Sequence, residues 1–274
     1  MPGSGLSEAA DENLLQYPHG YNEVHPLLDG FSRHPPYSGF TVATKQKIRR
    51  QMSRTFISEG AVQCRQKFLR FFPAGFTDPN YLAWERAYKW KAHQTWNQEL
   101  NREEFRSLLI AGHYVEIASR AVRIESRTNL LFSFEKMALR DAVKSIAGAC
   151  SFSTGLYDFL YGSKAEQERF SIWCSSLQSL PRIKTRVLTW PLATVFPFIA
   201  LPDKHIFLKP NVTREAAKQY DFPFEYEPGP SWSTYANLLK FGDAIRRDLA
   251  DLEPKDMIDI QSFIWVQGSS EYDE

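Results

Sequence analysis

Apolar residues recur along most of the chain at helical spacing. From Thr44 onward, Ile48, Met52, Phe56, Val62, Phe68 and Phe71 fall three, four or six positions apart, and Lys45, Lys47, Arg49, Arg50 and Arg54 fill positions between the first of them. Such intervals put the apolar side chains on one face of a helix. After Phe72-Pro73 and the turn residues Asp78-Pro79-Asn80, the pattern predicts a long helix from Tyr81 to Leu100. Asn101, with Glu104 three residues on, has the form of a capping box before Phe105, Leu108 and Leu109. Thr128 precedes an apolar segment from Leu130 to Val143, and Gly162-Ser163 breaks the chain before a helix over Ala165 to Leu180. Thr213 is placed to cap a helix over Arg214 to Tyr220, and Ser231 or Ser233 to cap one ending near Leu252. Lys255 to Trp265 reads as a last short helix or extended segment, and His205-Ile206-Phe207-Leu208 is the best strand candidate.

These elements predict an all-α fold: a compact multi-helix domain of about ten helices over residues 37–266, with one or two lobes. Residues 1–36 lack periodicity and read as a flexible acidic arm, and residues 267–274 read as a frayed tail.

Composition changes this picture little: 43% apolar and 24% charged residues are globular values, which excludes disorder throughout and collagen-like repeats. Charge changes it more. The formal net charge is only +1, but residues 1–30 carry −5, residues 31–100 carry +8, residues 101–250 carry +4 and residues 251–274 carry −6. A basic body between acidic ends points to an anionic partner, with DNA the candidate; a solvated basic face with acidic tails is the plainer alternative. The cations Lys45, Lys47, Arg49, Arg50 and Arg54 pose the same choice, since they repel one another without a counter-charge.

Cys64, Cys150 and Cys174 are odd in number and widely spaced, which leaves neither a disulfide framework nor a zinc ribbon and predicts reduced thiols in the cytosol. The acidic N-terminus is unlike a signal peptide. The longest apolar run, Trp190 to Leu201, contains Pro191 and Pro197 and is too short to span a bilayer. The chain has no GxGxxG, P-loop, HExxH or GxSxG motif, which argues against dehydrogenases, NTPases, zincins and α/β-hydrolases. No cofactor or metal is expected.

Residues 180–220 carry the most information. A helix leads into Leu180-Pro181, then Ile183, then Arg186-Val187 opening an apolar segment; Pro202-Asp203-Lys204-His205 follows about twenty residues later, before another helix. This stretch resembles the core of the helix-hairpin-helix DNA glycosylases, in which a Leu-Pro-Gly-x-Gly hairpin precedes a buried helix and a catalytic Asp. The resemblance implies an all-helical fold with a hairpin element near residues 174–200, no cofactor, a DNA partner, and Asp203 as the catalytic carboxylate with His205 beside it. Arg182 and Lys184 replace the hairpin glycines, so phosphate contact passes from backbone amides to the side chains of Arg182, Lys184 and Arg186. Arg186 also stands where bifunctional members have a Schiff-base lysine. An arginine cannot serve as an amine nucleophile, which implies a monofunctional enzyme unless Lys184 or Lys209 substitutes.

Cleavage of an N-glycosidic bond builds positive charge at the sugar, and a fixed carboxylate stabilises it. Asp203 is the first candidate, with a turn-capping role as its alternative. Glu135 is the second, an acid amid apolar residues that needs either a raised pKa or an ion-pair partner. Base-pocket candidates are Trp190, Phe196, Asp259, Gln261 and Trp265, and the DNA-contact candidates above are joined by Lys209. Tyr81, Trp84 and Tyr88 share a face of the long helix, which also carries Trp90 and Trp96, and serve either to stack bases or to fill the core.

The function expected is base flipping and excision that leaves an abasic site. Phage-defence glycosylases that remove glucosylated hydroxymethylcytosine offer the analogy for so divergent a hairpin. A non-catalytic helical DNA-binding or interaction protein is the alternative, and an enzyme of small nucleosides or nucleotides a third.

Overall fold

The computed structural model describes residues 57–182 and 186–273, which belong to one unit, Thr55–Glu274. The predicted arm over residues 1–36, the cations Lys45, Lys47, Arg49, Arg50 and Arg54, and Lys184 lie outside the described residues. The described part is all-helical, with no strand.

Helix α1 spans Glu59–Phe71 and starts at Ser58, whose hydroxyl accepts from the Ala61 amide. Helix α2 is a continuous rod made of Pro79–Tyr81, a π turn over Leu82–Arg86, and Ala87–Glu99. Asp78 caps it, and Pro79 occupies the first turn, where a missing N–H costs nothing. Then follow α3 (Arg102–Ile110), α4 (Tyr114–Ser126), α5 (Ser133–Ala142), α6 (Ile146–Tyr161), α7 (Glu166–Gln178), α8 (Trp190–Ala200), α9 (Pro210–Gln219), α10 (Trp232–Asp248) and α11 (Met257–Gly268). The caps read from sequence at Asn101 and Ser231 are both formed, on Glu104 N and Thr234 N.

Helix α8 is the axis of the core. All eleven of its residues are buried, which is why its sequence shows an unbroken apolar run rather than a stripe. Pro197 has no amide hydrogen for the Ala193 carbonyl one turn earlier. Trp173 of α7 fills that vacancy, its Nε1 donating to Ala193 O at 2.8 Å. Helices α9 and α11 meet where Gly268 ends α11. A Cβ there would stand 2.0 Å from Val212 O, so only glycine permits this approach.

Four expectations are corrected. His205–Leu208 is not a strand; it is an irregular buried segment, and Leu208 N donates to Thr194 Oγ1 of α8 at 3.0 Å instead of to a sheet. Thr213 caps nothing: α9 begins three residues earlier, at Pro210, and Thr213 is buried inside it. The residues after Gly268 are docked rather than frayed as far as Asp273. Ser270–Tyr272 forms a 3-10 turn, and the buried Tyr272 hydroxyl donates to Glu85 Oε1 at 2.6 Å. The π turn in α2 breaks the face shared by Tyr81, Trp84 and Tyr88: Tyr81 is fully buried, while Trp84 is 58% exposed. An extra residue in one turn advances the phase of everything after it.

Among the described residues no helix is long and apolar enough to cross a membrane. The three cysteines are free, and burial pushes the Cys64 and Cys174 thiols up to about 12. Cys64 and Cys174 are inert packing residues.

Candidate active site

A cavity of about 1090 Å³ opens between the π turn of α2, the start of α5, the start of α8, the Phe207–Val212 segment, α11 and the docked C-terminal turn. Glu135, Arg186, Trp190, Lys209, Gln261 and Trp265, all singled out in sequence, meet in its walls, joined by Trp84 and Tyr88 of α2.

Glu135 is in the first turn of α5, and only 4% of it is exposed. Its Oε2 accepts from the Phe132 amide at 3.0 Å, the ordinary service of an acid at a helix start. Desolvation nevertheless raises its pKa, against the lowering effects of that amide, of Lys209 and of the Thr189 hydroxyl. Thr189 is itself fixed as the cap of α8.

Lys209 stands at the start of α9 and faces the same space. Its Nζ lies 4.0 Å from the centroid of the Phe132 ring and 5.1 Å from that of Trp265. Desolvation lowers its pKa, while the charges of Glu135 and Glu271 act the other way. Among the described residues its ammonium has neither a hydrogen bond nor an ion pair. Gln261 is also buried, and its Oε1 has no hydrogen-bond partner. Trp190, by contrast, is committed through Nε1 to Glu227 O at 2.8 Å and offers the cavity only apolar surface.

The other candidates fall elsewhere. Asp203 is exposed in the turn after α8 and borders a separate cleft of about 410 Å³, alongside Arg86, Trp90, His93, Lys255 and Asp256. Residues 205–209 separate it in sequence from α9, which starts at Pro210. His205 is not a water-polarising group. It is 5% exposed, its Nδ1 is 3.1 Å from the Tyr235 hydroxyl, and burial holds its pKa down to about 3. Phe196 is core, packed edge-on against Phe152. Asp259 is fully buried and spent on Tyr81, Arg86 and the Lys255 amide. It reads no base from there. Arg182 is exposed on the α7–α8 connection and does not line the cavity.

Sequence reasoning missed part of the wall. Phe132 and Phe134 are about half exposed, with rings stacked at 5.6 Å and an interplanar angle of 16°. Thr189, Glu271 and the docked Tyr272 were missed too. Two aromatics flanking a serine at a helix start, in exposed positions, were the available signal. Nothing local marked the other three.

Among the described residues no group of three or more His, Cys, Asp or Glu converges as a metal site. No family model, curated protein or solved structure matches the chain.

Proposed function

We propose that the chain is a DNA glycosylase whose chemistry takes place in the Glu135–Lys209 cavity, with Glu135 in the role that the hairpin resemblance assigned to Asp203. The observation that carries this reading is Glu135 itself, a buried carboxyl with a raised pKa facing a large aromatic-walled space. A carboxyl tuned upward can pass a proton to a leaving base and, once ionised, steady the positive charge left on the sugar and orient water. Arg186 at the cavity wall is available to a phosphate. The exposed Phe132–Phe134 pair has the apolar, stacked form of a wedge that fills the gap left by a flipped nucleotide. The analogy with glucosylated hydroxymethylcytosine asks for a roomy pocket, and a cavity of about 1090 Å³ has room for a base that carries a sugar.

The test is incubation with duplexes carrying ordinary, alkylated, deaminated and hypermodified bases, followed by alkali to reveal abasic sites. Excision by the wild type, lost in Glu135→Gln and kept in Asp203→Asn, is the expected result. No alkali-labile site on any duplex, together with DNA affinity that falls steeply with salt, would leave the non-catalytic DNA-binding reading in its place.

A further inference from the structure

The large cavity does not close at the start of α9. Asn211, in the first turn of that helix, lines both the cavity and a second cleft of about 520 Å³. Tyr226 makes a similar link. Its ring belongs to the cavity wall, and the Arg214 guanidinium of the second cleft lies over it, 5.2 Å from the centroid.

Arg214 and Lys218 are exposed and four residues apart, which puts them on one face of α9 and about 6 Å apart along its axis. Among the described residues neither has a hydrogen bond or an ion pair. Glu215, the acid in the cleft, is engaged by Gln219, whose Nε2 donates to it at 3.1 Å. Phe222 and Phe224, both half-buried, supply aromatic surface to the same cleft. Free cations beside accessible rings suit a single nucleic-acid strand, since charge tracks its phosphates and rings stack its unpaired bases. Continuity with the cavity decides the occupant: a strand with one nucleotide in the cavity has its next ones at Asn211 and Tyr226.

We propose that the second cleft is a groove for single-stranded DNA, along which the strand leaves the cavity with phosphates on Arg214 and Lys218 and a base against Phe224. This surface is not the α7–α8 connection to which the hairpin resemblance assigns phosphate contact; Arg182 there lines neither the cavity nor the cleft. The proposal rests on the reading of the cavity as a DNA site, but not on the excision step.

Anisotropy of an unmodified, fluorescein-labelled single strand of about 12 nucleotides tests it, with the full chain titrated at several salt concentrations. Losing two phosphate contacts in the combined Arg214→Gln, Lys218→Gln variant should lower the salt slope of log affinity by about 1.4, and the affinity at 0.1 M salt by about 25-fold. The combined Arg106→Gln, Lys164→Gln variant makes the same charge change away from both spaces and should lose less than about twofold. Phe224→Leu should weaken binding about tenfold with the salt slope unchanged, because stacking releases no counterion. Equal losses in the two charge variants, or no loss in the first, overturn the groove. An equal loss on a duplex of the same sequence overturns the single-strand assignment. Displacement of the probe by polyglutamate as readily as by unlabelled oligonucleotide makes the cleft a site for acidic protein and overturns the proposal. The probe carries no modified base, so the two readings fail separately: excision with an unchanged slope sinks only the groove, and a changed slope without excision sinks only the glycosylase.

Discussion

Two regions of this molecule bury charge, and they do opposite things with it. Beneath the π turn, Arg86 bonds Asp256 at 2.6 and 2.9 Å and Asp259 at 2.6 Å, and Tyr81 donates to Asp259 at 2.5 Å. Burial works against the Arg86 cation, but the two carboxylates outweigh it and raise its pKa. Beside it, Lys89 is held by Glu85 at 3.1 Å and by the Ser262 hydroxyl at 2.8 Å. Each of these charges has a hydrogen-bonded partner within the protein, although burial still lowers the pKa of Lys89. In the cavity, Glu135 and Lys209 answer one another only through space, and both are pushed toward their neutral forms. Burial of a titratable group therefore says little about function here. The informative feature is a titratable group left uncommitted where a ligand can reach it.

The comparison breaks first if the paired region is not structural. Asp259→Ala strands Arg86 and Tyr81 without their shared acceptor, and removing one partner of a buried pair costs about 3–5 kcal/mol. Urea unfolding at pH 7 reads this, and a loss under about 1 kcal/mol would show that the network carries no structural weight. The cavity should respond the other way. Glu135→Gln preserves an oxygen for the Phe132 amide, so its stability should stay within about 1 kcal/mol of wild type. Excision on the best duplex should fall roughly 10²–10³-fold in the same variant.

A third measurement sharpens the difference through pH. His205 is held neutral with a pKa of about 3, against 6.5 for the ordinary group. Below pH 6.5 the unfolded chain takes up a proton that the folded chain refuses, so stability is full above that pH and declines as the pH falls toward 3. The slope contributed by one such group approaches about 1.4 kcal/mol per pH unit. Stability curves between pH 7 and pH 4 for wild type and His205→Gln should differ in slope, the variant being flatter. Parallel curves would remove His205 from the acid response. The smallest effect is expected at Asp203, exposed in its turn. Asp203→Asn should move stability by no more than about 0.5 kcal/mol and leave excision intact. Loss of excision there would return the catalytic role to the hairpin resemblance and to the smaller cleft.

What was legible from sequence follows the range over which each signal acts. Helix starts at Asn101 and Ser231 were legible because a cap is a bond between residues three apart. The core helix Trp190–Ala200 was legible because unbroken apolarity means burial on every side. Glu135 stood out because an acid among apolar residues demands an explanation. The phase of α2 after Tyr81 was hidden by a π turn that periodicity assumes away. Residue identity at a spacing also did not reveal that Asp203 borders a separate cleft or that His205 is buried against Tyr235.

By itself, the sequence determined the helical class, several helix boundaries and a short list of chemically capable residues, since those depend on propensity, capping and local periodicity. Tertiary structure decided which of them share a space. Glu135, Arg186, Lys209 and Gln261 are separated by tens of residues and meet only because α5, α8, α9 and α11 converge on one cavity. Tertiary structure also decided which charges were free. Asp259 and Lys209 are equally polar in sequence, yet one has Tyr81, Arg86 and the Lys255 amide for partners, and the other has two aromatic rings and open space. A hydrogen bond between residues more than a hundred positions apart leaves no local trace, and it is such bonds that separate a structural charge from an available one.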